Sequence, residues 1–277
     1  MKIRLVHVYP RELGINGDLG NVMALVKRAA WRGIEVDVVE YNPGDSFPDS
    51  VDLVHVGSGP RSGQLAVAAD LERIAAALRD LKAQDVPFLA IAGGWQLLGQ
   101  SVTTEAGEVS AAAAVFSSAV TLEAGRHVGE VVLDSPFGRL AGFENHGSAT
   151  IVFGDARPLG TVIASGRKKT LTAAAGAVSA AQPLKPAGNN ASDENQRAIV
   201  EGIIDGSSIG TTLAGPFLPL NPRVTDSLLV SALVHAGVEE DAARERMGVV
   251  DNTFLQAADA AAAGARLAIE RRLGLSG

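Results

Sequence analysis

The stretch over residues 87–99 reads PFLAIAGGWQLLG and decides the fold. Its apolar run, 88–91, has the length and composition of a buried strand, and the double glycine that follows leads directly into a helical pattern. Enzymes use a strand, a sharp turn and a helix to hold a nucleophile on a strained elbow. The residue at the elbow position is Ala92, whose methyl group cannot attack a substrate. The stretch therefore predicts a catalytic scaffold that lacks its reactive atom.

Length and charge narrow the class of protein. A chain of 277 residues with 47% hydrophobic and 20% charged residues fits a globular α/β protein, and we expect a single domain over 1–277. The formal net charge of −7 disfavours a general nucleic-acid or anionic-membrane role. No apolar run is long enough to cross a bilayer, and the first residues lack the pattern of a secretory signal, so we expect a cytoplasmic protein.

The sequence contains no cysteine and only five histidines. The absence of cysteine excludes disulfides, thiolate metal sites and cysteine nucleophiles. The histidines are scattered along the chain without the short spacings that mark zinc sites, and we therefore predict neither a metal site nor a cofactor.

Strand-like and helix-like segments alternate through the first half of the chain, which predicts a mostly parallel sheet with helices on both faces. The second half has short strands with short connections, so it is predicted to be less regular and β-rich. Within it, residues 166–196 are expected to form an exposed loop or extension. The predicted strands are 3–8, 35–41, 53–56, 88–91, 112–116, 128–133, 150–153, 199–204 and 208–213, and the predicted helices are 21–31, 64–84, 223–236, 253–273 and one that begins near Trp95.

Residues 90–99, AIAGGWQLLG, resemble the AICGGYQLLG elbow of the CobB/CobQ-like branch of class I glutamine amidotransferases. Further motifs of that branch follow in order along almost the whole chain, and they are most similar to those of the GatD-type glutaminase subunits of lipid II isoglutaminyl synthase. One such motif would be weak evidence, but this many in the same order indicate the family. They are YP at 9–10, GDLGN at 17–21, RHVGE at 126–130, GFENH at 142–146, GNN at 188–190, EG at 201–202 and GTTLAGPFLPLNP at 210–222.

The resemblance implies a flavodoxin-like fold and the chemistry of glutamine hydrolysis. In this family a cysteine attacks the side-chain amide and forms a thioester, while a histidine pairs with the thiol and protonates the leaving amine. The cysteine position corresponds to Ala92 and the histidine position to Ala214. The positions that the resemblance implies for substrate binding are Arg126, whose fork suits a carboxylate, and the glycines Gly57, Gly59 and Gly93.

The loop after the third predicted strand departs further from the family pattern. The family reads GGGQDxxQ where this chain reads GSGPRSGQ over 57–64. Pro60 removes a backbone N–H donor, and Arg61 puts a positive charge where the family has an acid. Losing a nucleophile and its base together costs a well-studied hydrolase about 10⁶ in rate, so we predict no useful glutaminase activity.

No other residue is predicted to replace the missing pair. Ser58, Ser101 and Thr103 carry hydroxyl groups, but no base stands at a recognisable spacing from them. His146 belongs to the GFENH motif, to which the resemblance assigns a structural or partner-contact role.

Three functions fit these observations. The first is a non-catalytic, GatD-like pseudo-glutaminase that serves a MurT-like Mur ligase as a structural or regulatory subunit in peptidoglycan amidation. The second is an active glutaminase subunit whose cysteine and histidine were replaced by alanine in the laboratory. Pro60 and Arg61 argue against this second function, because trapping a complex would not require them. The third is a sensor that binds glutamine or another amino acid through Arg126 without hydrolysing it.

Overall fold

The structure, a computed structural model, describes residues 1–169, 199–248 and 251–275. Its strands are β1 (Lys2–Val8), β2 (Glu35–Tyr41), β3 (Leu53–Val56), β4 (Phe88–Ile91), β5 (Ser101–Thr103), β6 (Val109–Ala111), β7 (Ser118–Ser135), β8 (Gly138–Val152), β9 (Gly160–Ser165), β10 (Lys168–Lys169), β11 (Val200–Glu201), β12 (Ile203–Asp205), β13 (Ser208–Thr211) and β14 (Leu213–Ala214).

Helices follow the strands β1, β3 and β4 directly. Across the described ranges, no helix combines the length and the apolar character needed to cross a membrane. The helices are α1 (Leu19–Ala30), α2 (Arg61–Ala83), α3 (Gly93–Leu98), α4 (Phe217–Leu220), α5 (Pro222–His235), α6 (Glu240–Met247) and α7 (Thr253–Arg272).

Six strands form the central sheet in the order β12-β13-β4-β3-β1-β2. β1 pairs in parallel with β2 and β3, and the β3–β4 and β4–β13 pairs are also parallel, while β12 is an antiparallel edge strand. Parallel neighbours require crossover connections, and α1 and α2 supply them between β1 and β2 and between β3 and β4. The predicted class, an α/β fold with a mostly parallel sheet and helices, is confirmed.

Both faces of the central sheet are buried because its strands carry apolar side chains in both directions. In β1, Ile3 and Leu5 pack into the cluster that α1 and α5 share, whereas Val6 and Val8 pack into the cluster that contains α2. Strands covered on both faces have nearly continuous apolar sequences, and for this reason these strands could be located from the sequence.

The long hairpin of β7 and β8 dominates the second sheet. Both strands are longer than the strands predicted at 128–133 and 150–153, because their pairing continues past an irregularity between Leu122 and His127. Val131 and Leu133 of β7 lie in the same buried cluster as the first strand of the central sheet. The two sheets therefore share a core, and the single domain over 1–277 stays a prediction.

The strand predicted at 112–116 is wrong. β6 ends before it, and the backbone N–H groups of Ala113 and Val115 donate to the carbonyls of Leu97 and Leu98 at distances of 3.0 and 2.9 Å. The last carbonyls of a helix have no partner inside the helix. These N–H groups therefore cap the end of α3 and do not pair with a neighbouring strand.

The predicted exposed loop at 166–196 is described only at its beginning, since residues 170–196 lie outside the described residues. There the N–H of Gly166 donates to the carbonyl of Glu130 (2.8 Å), and β10 pairs antiparallel with β7. The Arg167 guanidinium donates to both oxygens of the fully buried Glu144 carboxylate, at 2.6 and 2.7 Å. The start of the segment is thus fixed to the second sheet.

The turn between β4 and α3 requires glycine for steric reasons. A Cβ on Gly94 would lie 2.7 Å from the carbonyl oxygen of Gly57 and would overlap that of Val56. A Cβ on Gly93 would lie 2.8 Å from the carbonyl oxygen of Gly59. The double glycine therefore lets the first turn of α3 lie directly on the loop that follows β3.

A Gly94→Ala substitution should lower the free energy of unfolding by about 2–3 kcal/mol, because backbone atoms rather than a flexible side chain would have to move. Urea denaturation measures this change. The matched control is Gly264→Ala in α7, where an added Cβ would meet nothing within 4 Å. The control should instead raise the stability by about 0.5–1 kcal/mol. Equal stability of the Gly94→Ala variant and the unsubstituted chain would contradict the packing described above.

Candidate functional site

Ala92 adopts a strained backbone conformation at the end of β4. Its φ of 45° and ψ of −105° lie where a residue with a side chain costs on the order of 1–3 kcal/mol. Its N–H donates to the carbonyl of Thr211 on β13 (2.7 Å), and its carbonyl accepts from the N–H of Gln96 in α3 (3.0 Å). Backbone contacts on both sides therefore hold the elbow, independently of the side chain at position 92.

A cavity of about 640 Å³ opens beside this elbow. Small-molecule sites commonly occupy a few hundred to a thousand Å³, so the cavity has room for an amino acid. Most of the predicted site residues meet here, together with the residues that depart from the family pattern. The lining includes the predicted Ala92, Gly59, Gly93 and Arg126 and also Ser58, Pro60 and Arg61.

Two predicted site residues lie behind the cavity wall instead. Gly57 is buried under the loop, and a Cβ there would overlap the carboxylate of Asp18, so its role in the structure is close packing. Ala214 lies in β14, paired antiparallel with Phe143 of β8, and is only 3% exposed. Ala214 and Ala92 belong to the same buried hydrophobic cluster.

Arg126 is exposed at the edge of the cavity, and its guanidinium donates three hydrogen bonds to Asn145. Two of the contacts are to the Asn145 side-chain oxygen, at 2.6 and 3.1 Å, and the third is to its carbonyl oxygen, at 3.0 Å. A carboxylate forms stronger, charge-assisted bonds with the same fork than a neutral amide does. A ligand carboxylate at this edge would compete with the Asn145 side-chain oxygen for the guanidinium.

Sequence reasoning missed a chain of polar side chains along one wall of the cavity. The Gln64 amide donates to the Gly59 carbonyl (3.3 Å) and to the Gln96 side chain (3.2 Å). The Gln96 amide in turn donates to the Ser148 hydroxyl (2.9 Å), which lies 3.2 Å from Nδ1 of His146. This chain connects α2, α3 and β8. Its members come from distant parts of the sequence, and no local pattern marks them.

Glu201 is a buried carboxyl group that supports the strand behind the elbow. It accepts from the hydroxyl of Thr211 (2.9 and 3.0 Å) and from the N–H (2.6 Å) and hydroxyl (2.9 Å) of Thr212. Burial raises the pKa of Glu201 to about 7, against the hydrogen bonds that favour its charged form. Because the Thr211 carbonyl accepts from Ala92, Glu201 acts on the elbow through this strand.

The comparison with known protein families identifies the family of the chain. Residues 4–191, more than half of the chain, match the CobB/CobQ-like glutamine amidotransferase domain. The chain belongs to this family.

Two relatives of this CobB/CobQ-like chain are GatD subunits of lipid II isoglutaminyl synthase (glutamine-hydrolyzing). The protein from Staphylococcus aureus is 30% identical over 239 residues, which cover 86% of this chain and 87% of the relative. The protein from Streptococcus pneumoniae is 25% identical over 236 residues, covering 84% and 81%. A solved glutamine amidotransferase has a TM-score of 0.50 at 16% identity and covers 82% of this chain and 98% of its own, which supports the fold alone.

The chemistry available to this CobB/CobQ-like chain follows from the groups in its cavity. A methyl group at the elbow cannot form a thioester or accept a proton. The Ser58 hydroxyl accepts from the Asn16 side chain (3.3 Å) and has no imidazole among its hydrogen-bond partners in the described part of the chain. Among the described residues, neither the elbow residue nor Ser58 is therefore paired with a base.

The buried Glu201 should make stability depend on pH. Its pKa in the fold, about 7, lies above the ordinary 4.5, so the folded chain keeps a proton that the unfolded chain releases. The resulting stabilisation is complete below pH 4.5 and is lost as the pH rises through 7, by about 3 kcal/mol.

Urea denaturation of the unsubstituted chain and of Glu201→Gln between pH 4.5 and 8 isolates this effect, because other titrating groups cancel in the difference. The stability of the unsubstituted chain should fall relative to the glutamine variant across that interval. A difference that stays constant with pH would show that the carboxyl group is charged throughout.

Proposed function

We propose that the chain is a GatD-like pseudo-glutaminase, a cytoplasmic subunit that binds a MurT-like Mur ligase and does not hydrolyse glutamine. Its membership of the glutamine amidotransferase family rests on the family match and on the two GatD relatives. The observation that carries the rest of the proposal is Ala92, a residue without a reactive group on an otherwise complete elbow.

The structure around Ala92 supports this proposal, because the shape of the elbow is kept although the reactive side chain is absent. The strained conformation, the glycine packing and the adjoining cavity are all present. In the family, the two steps of amide hydrolysis require a thiolate and an imidazole. The resemblance places them at Ala92 and Ala214, and the chain contains no cysteine at any position.

The cavity wall supports natural loss rather than a laboratory substitution. Pro60 precedes the first residue of α2 and has no N–H to donate into the cavity, while Arg61 adds a positive charge to the lining. Neither change is needed to trap a complex. Both residues line the cavity in which a substrate would bind, and neither stands at the position of the nucleophile or the base.

An apolar groove between α1 and α7 supports a protein partner. Its volume is about 470 Å³, and its lining includes Met23, Trp31 and Leu218. Met23 is 54% exposed, and Phe254, stacked on Trp31 at 6.5 Å, is 69% exposed. Exposed apolar side chains that cluster in this way mark interaction sites. We propose that the MurT-like ligase covers this groove.

The purified chain, alone and with its co-expressed MurT-like subunit, should release no ammonia from glutamine above the buffer rate. A coupled ammonia assay measures this, with the Staphylococcus aureus GatD complex as the positive control. Ammonia release by the unsubstituted complex would contradict the proposal. Calorimetry with glutamine tests the sensor function in parallel, since heat that disappears in Arg126→Ala would favour binding without hydrolysis.

The double variant Ala92→Cys, Ala214→His separates natural loss from laboratory substitution. Because Pro60 removes a donor, the double variant should stay about 100-fold or more below the positive control. Activity equal to the control would favour the engineered alternative. Circular dichroism of the double variant establishes that it is folded.

A Met23→Glu substitution should weaken capture of the MurT-like subunit by about tenfold or more, since burying an unpaired charge at an interface is costly. The matched control is Leu65→Glu on α2, where the leucine is 60% exposed and lies outside the groove. Co-purification from cells that express both subunits measures the difference. Full capture by the Met23 variant would place the interface elsewhere, and a chain that never captures the ligase would remove the partner from the proposal.

A further inference from the structure

Two histidines lie on the face of the central sheet that also carries Ile3 and Leu5. His7 of β1 and His55 of β3 are directly paired in the parallel register, so both side chains point to the same side. Their rings stack at 5.1 Å, and the side chains are 3% and 0% exposed. Leu5, two positions before His7, packs in the core on that side. A pair of buried imidazoles in such a place requires a physical reason.

Asp18 completes the group from the loop before α1. It is 2% exposed, and its Oδ2 lies 2.8 Å from Nε2 of His55 and 3.7 Å from Nε2 of His7. One donor atom from each of the three residues lies within 4.8 Å of the other two. We call His7, Asp18 and His55 the His–Asp–His group.

One nitrogen of this group is buried without a partner. Nε2 of His7 has no hydrogen bond within the described part of the chain and no contact with solvent. A buried polar atom in this state destabilises a fold, so its presence calls for a missing partner.

The contacts of His55 are those of a metal ligand. Its Nδ1 lies 3.2 Å from the carbonyl of Leu89, so Nδ1 carries a proton and donates it. Its Nε2 faces the Asp18 carboxylate, which is also an acceptor. Histidines that bind metals through one nitrogen commonly donate the other to a backbone carbonyl. A proton on Nε2 bridges this 2.8 Å contact as a hydrogen bond, and a metal ion bound by Nε2 and Oδ2 would take the place of that proton.

The carboxylate is also prepared to bind a cation. Its second oxygen, Oδ1, accepts from the side chain of Asn21 (3.1 Å). This outer contact orients the carboxylate and leaves Oδ2 to face the two rings.

We propose that the His–Asp–His group is a site for a divalent transition-metal ion, with Zn²⁺ as the most suitable. Two imidazoles and one carboxylate favour such an ion over Mg²⁺ or Ca²⁺, which prefer oxygen ligands. Tetrahedral ligands at about 2.0 Å from zinc lie about 3.3 Å apart. The observed separations of 2.8 and 3.7 Å bracket that value.

The position of the site gives the ion a structural role beside the cavity. The Asp18 carboxylate packs so closely against Gly57 that a Cβ there would overlap it. The next residues of this loop, Ser58 to Pro60, line the cavity at the elbow. Zinc bound by Asp18 would therefore fix the base of this loop. The inference does not depend on whether the chain hydrolyses glutamine.

The spacing of the histidines gave no sign of this site in the sequence. Zinc motifs place their ligands a few residues apart, whereas His7, Asp18 and His55 come from two strands and a loop that meet only in the folded sheet. The prediction that the chain has no metal site rested on spacing alone, and the proposal replaces it.

The test uses the full chain without a histidine tag, stripped of metal with EDTA and then titrated with ZnCl₂ in a calorimeter. One equivalent should bind in the micromolar range or tighter and raise Tm by several degrees. CoCl₂ should give visible absorption bands that one equivalent of Zn²⁺ abolishes. A folded chain that binds neither ion above background would overturn the proposal.

Variants locate the ion. His55→Phe keeps an aromatic ring against His7, and Asp18→Asn keeps a polar group beside Asn21. Changes in the outer contacts of metal sites already cost 10–100-fold in affinity, so each variant should bind Zn²⁺ at least about 100-fold more weakly. The matched control is His127→Gln, from the other histidine pair, His127 with His146 at 5.2 Å, and it should bind like the unsubstituted chain.

Zinc affinity that survives both substitutions would overturn the assignment. If neither variant folds, an anomalous difference map from a zinc-soaked crystal of the unsubstituted chain decides the question. A peak within bonding distance of both Nε2 atoms and Asp18 Oδ2 supports the site, and its absence contradicts it.

Discussion

Close backbone packing between Gly94 and the carbonyl oxygens of Val56 and Gly57 is the constraint on which the site depends. It places the first turn of α3 directly on the loop after β3. The backbone segments that follow the parallel strands β3 and β4 are therefore in contact without intervening side chains. The backbone between β4 and α3 is constrained by this contact, and Ala92 adopts a conformation that few residues with a side chain adopt. The cavity beside it is the space that this packing leaves open.

The two alanines are compatible with that packing because a methyl group needs no partner. Ala92 and Ala214 lie in one buried apolar cluster, and their methyl side chains carry no polar atom that would need a hydrogen bond. An isolated imidazole or thiolate left in the same cluster would have been harder to accommodate, since buried polar groups require partners. Two methyl groups therefore fit this cluster without any further polar contact.

The sequence predicted the central sheet well because strands buried on both faces have continuous apolar runs and clear turns. The bounds of β2, β3 and β4 agree with the prediction, and Ala92, Arg126 and the glycines Gly59 and Gly93 meet in one cavity. The strand predicted at 112–116 was wrong because the donors of this segment serve the end of α3, a tertiary contact that strand propensity does not encode.

Groups assembled across strands could not be predicted in the same way. His7 and His55 are neighbours only through the β1–β3 register, and the Gln64, Gln96 and Ser148 side chains meet only after α2, α3 and β8 have packed. Periodicity reports which face a residue occupies and not which residue of another strand lies beside it. Register and packing supply that information.

The strained conformation of Ala92 has a consequence for how active sites are recognised. The strain is held by the glycines and by the hydrogen bond to Thr211, which belong to the scaffold and not to the catalyst. Selection for a stable shape, or for a partner that docks on that shape, keeps the elbow whether or not a reaction takes place there. Similarity of shape in this family therefore records ancestry, and only the atoms at the tip of the elbow record activity.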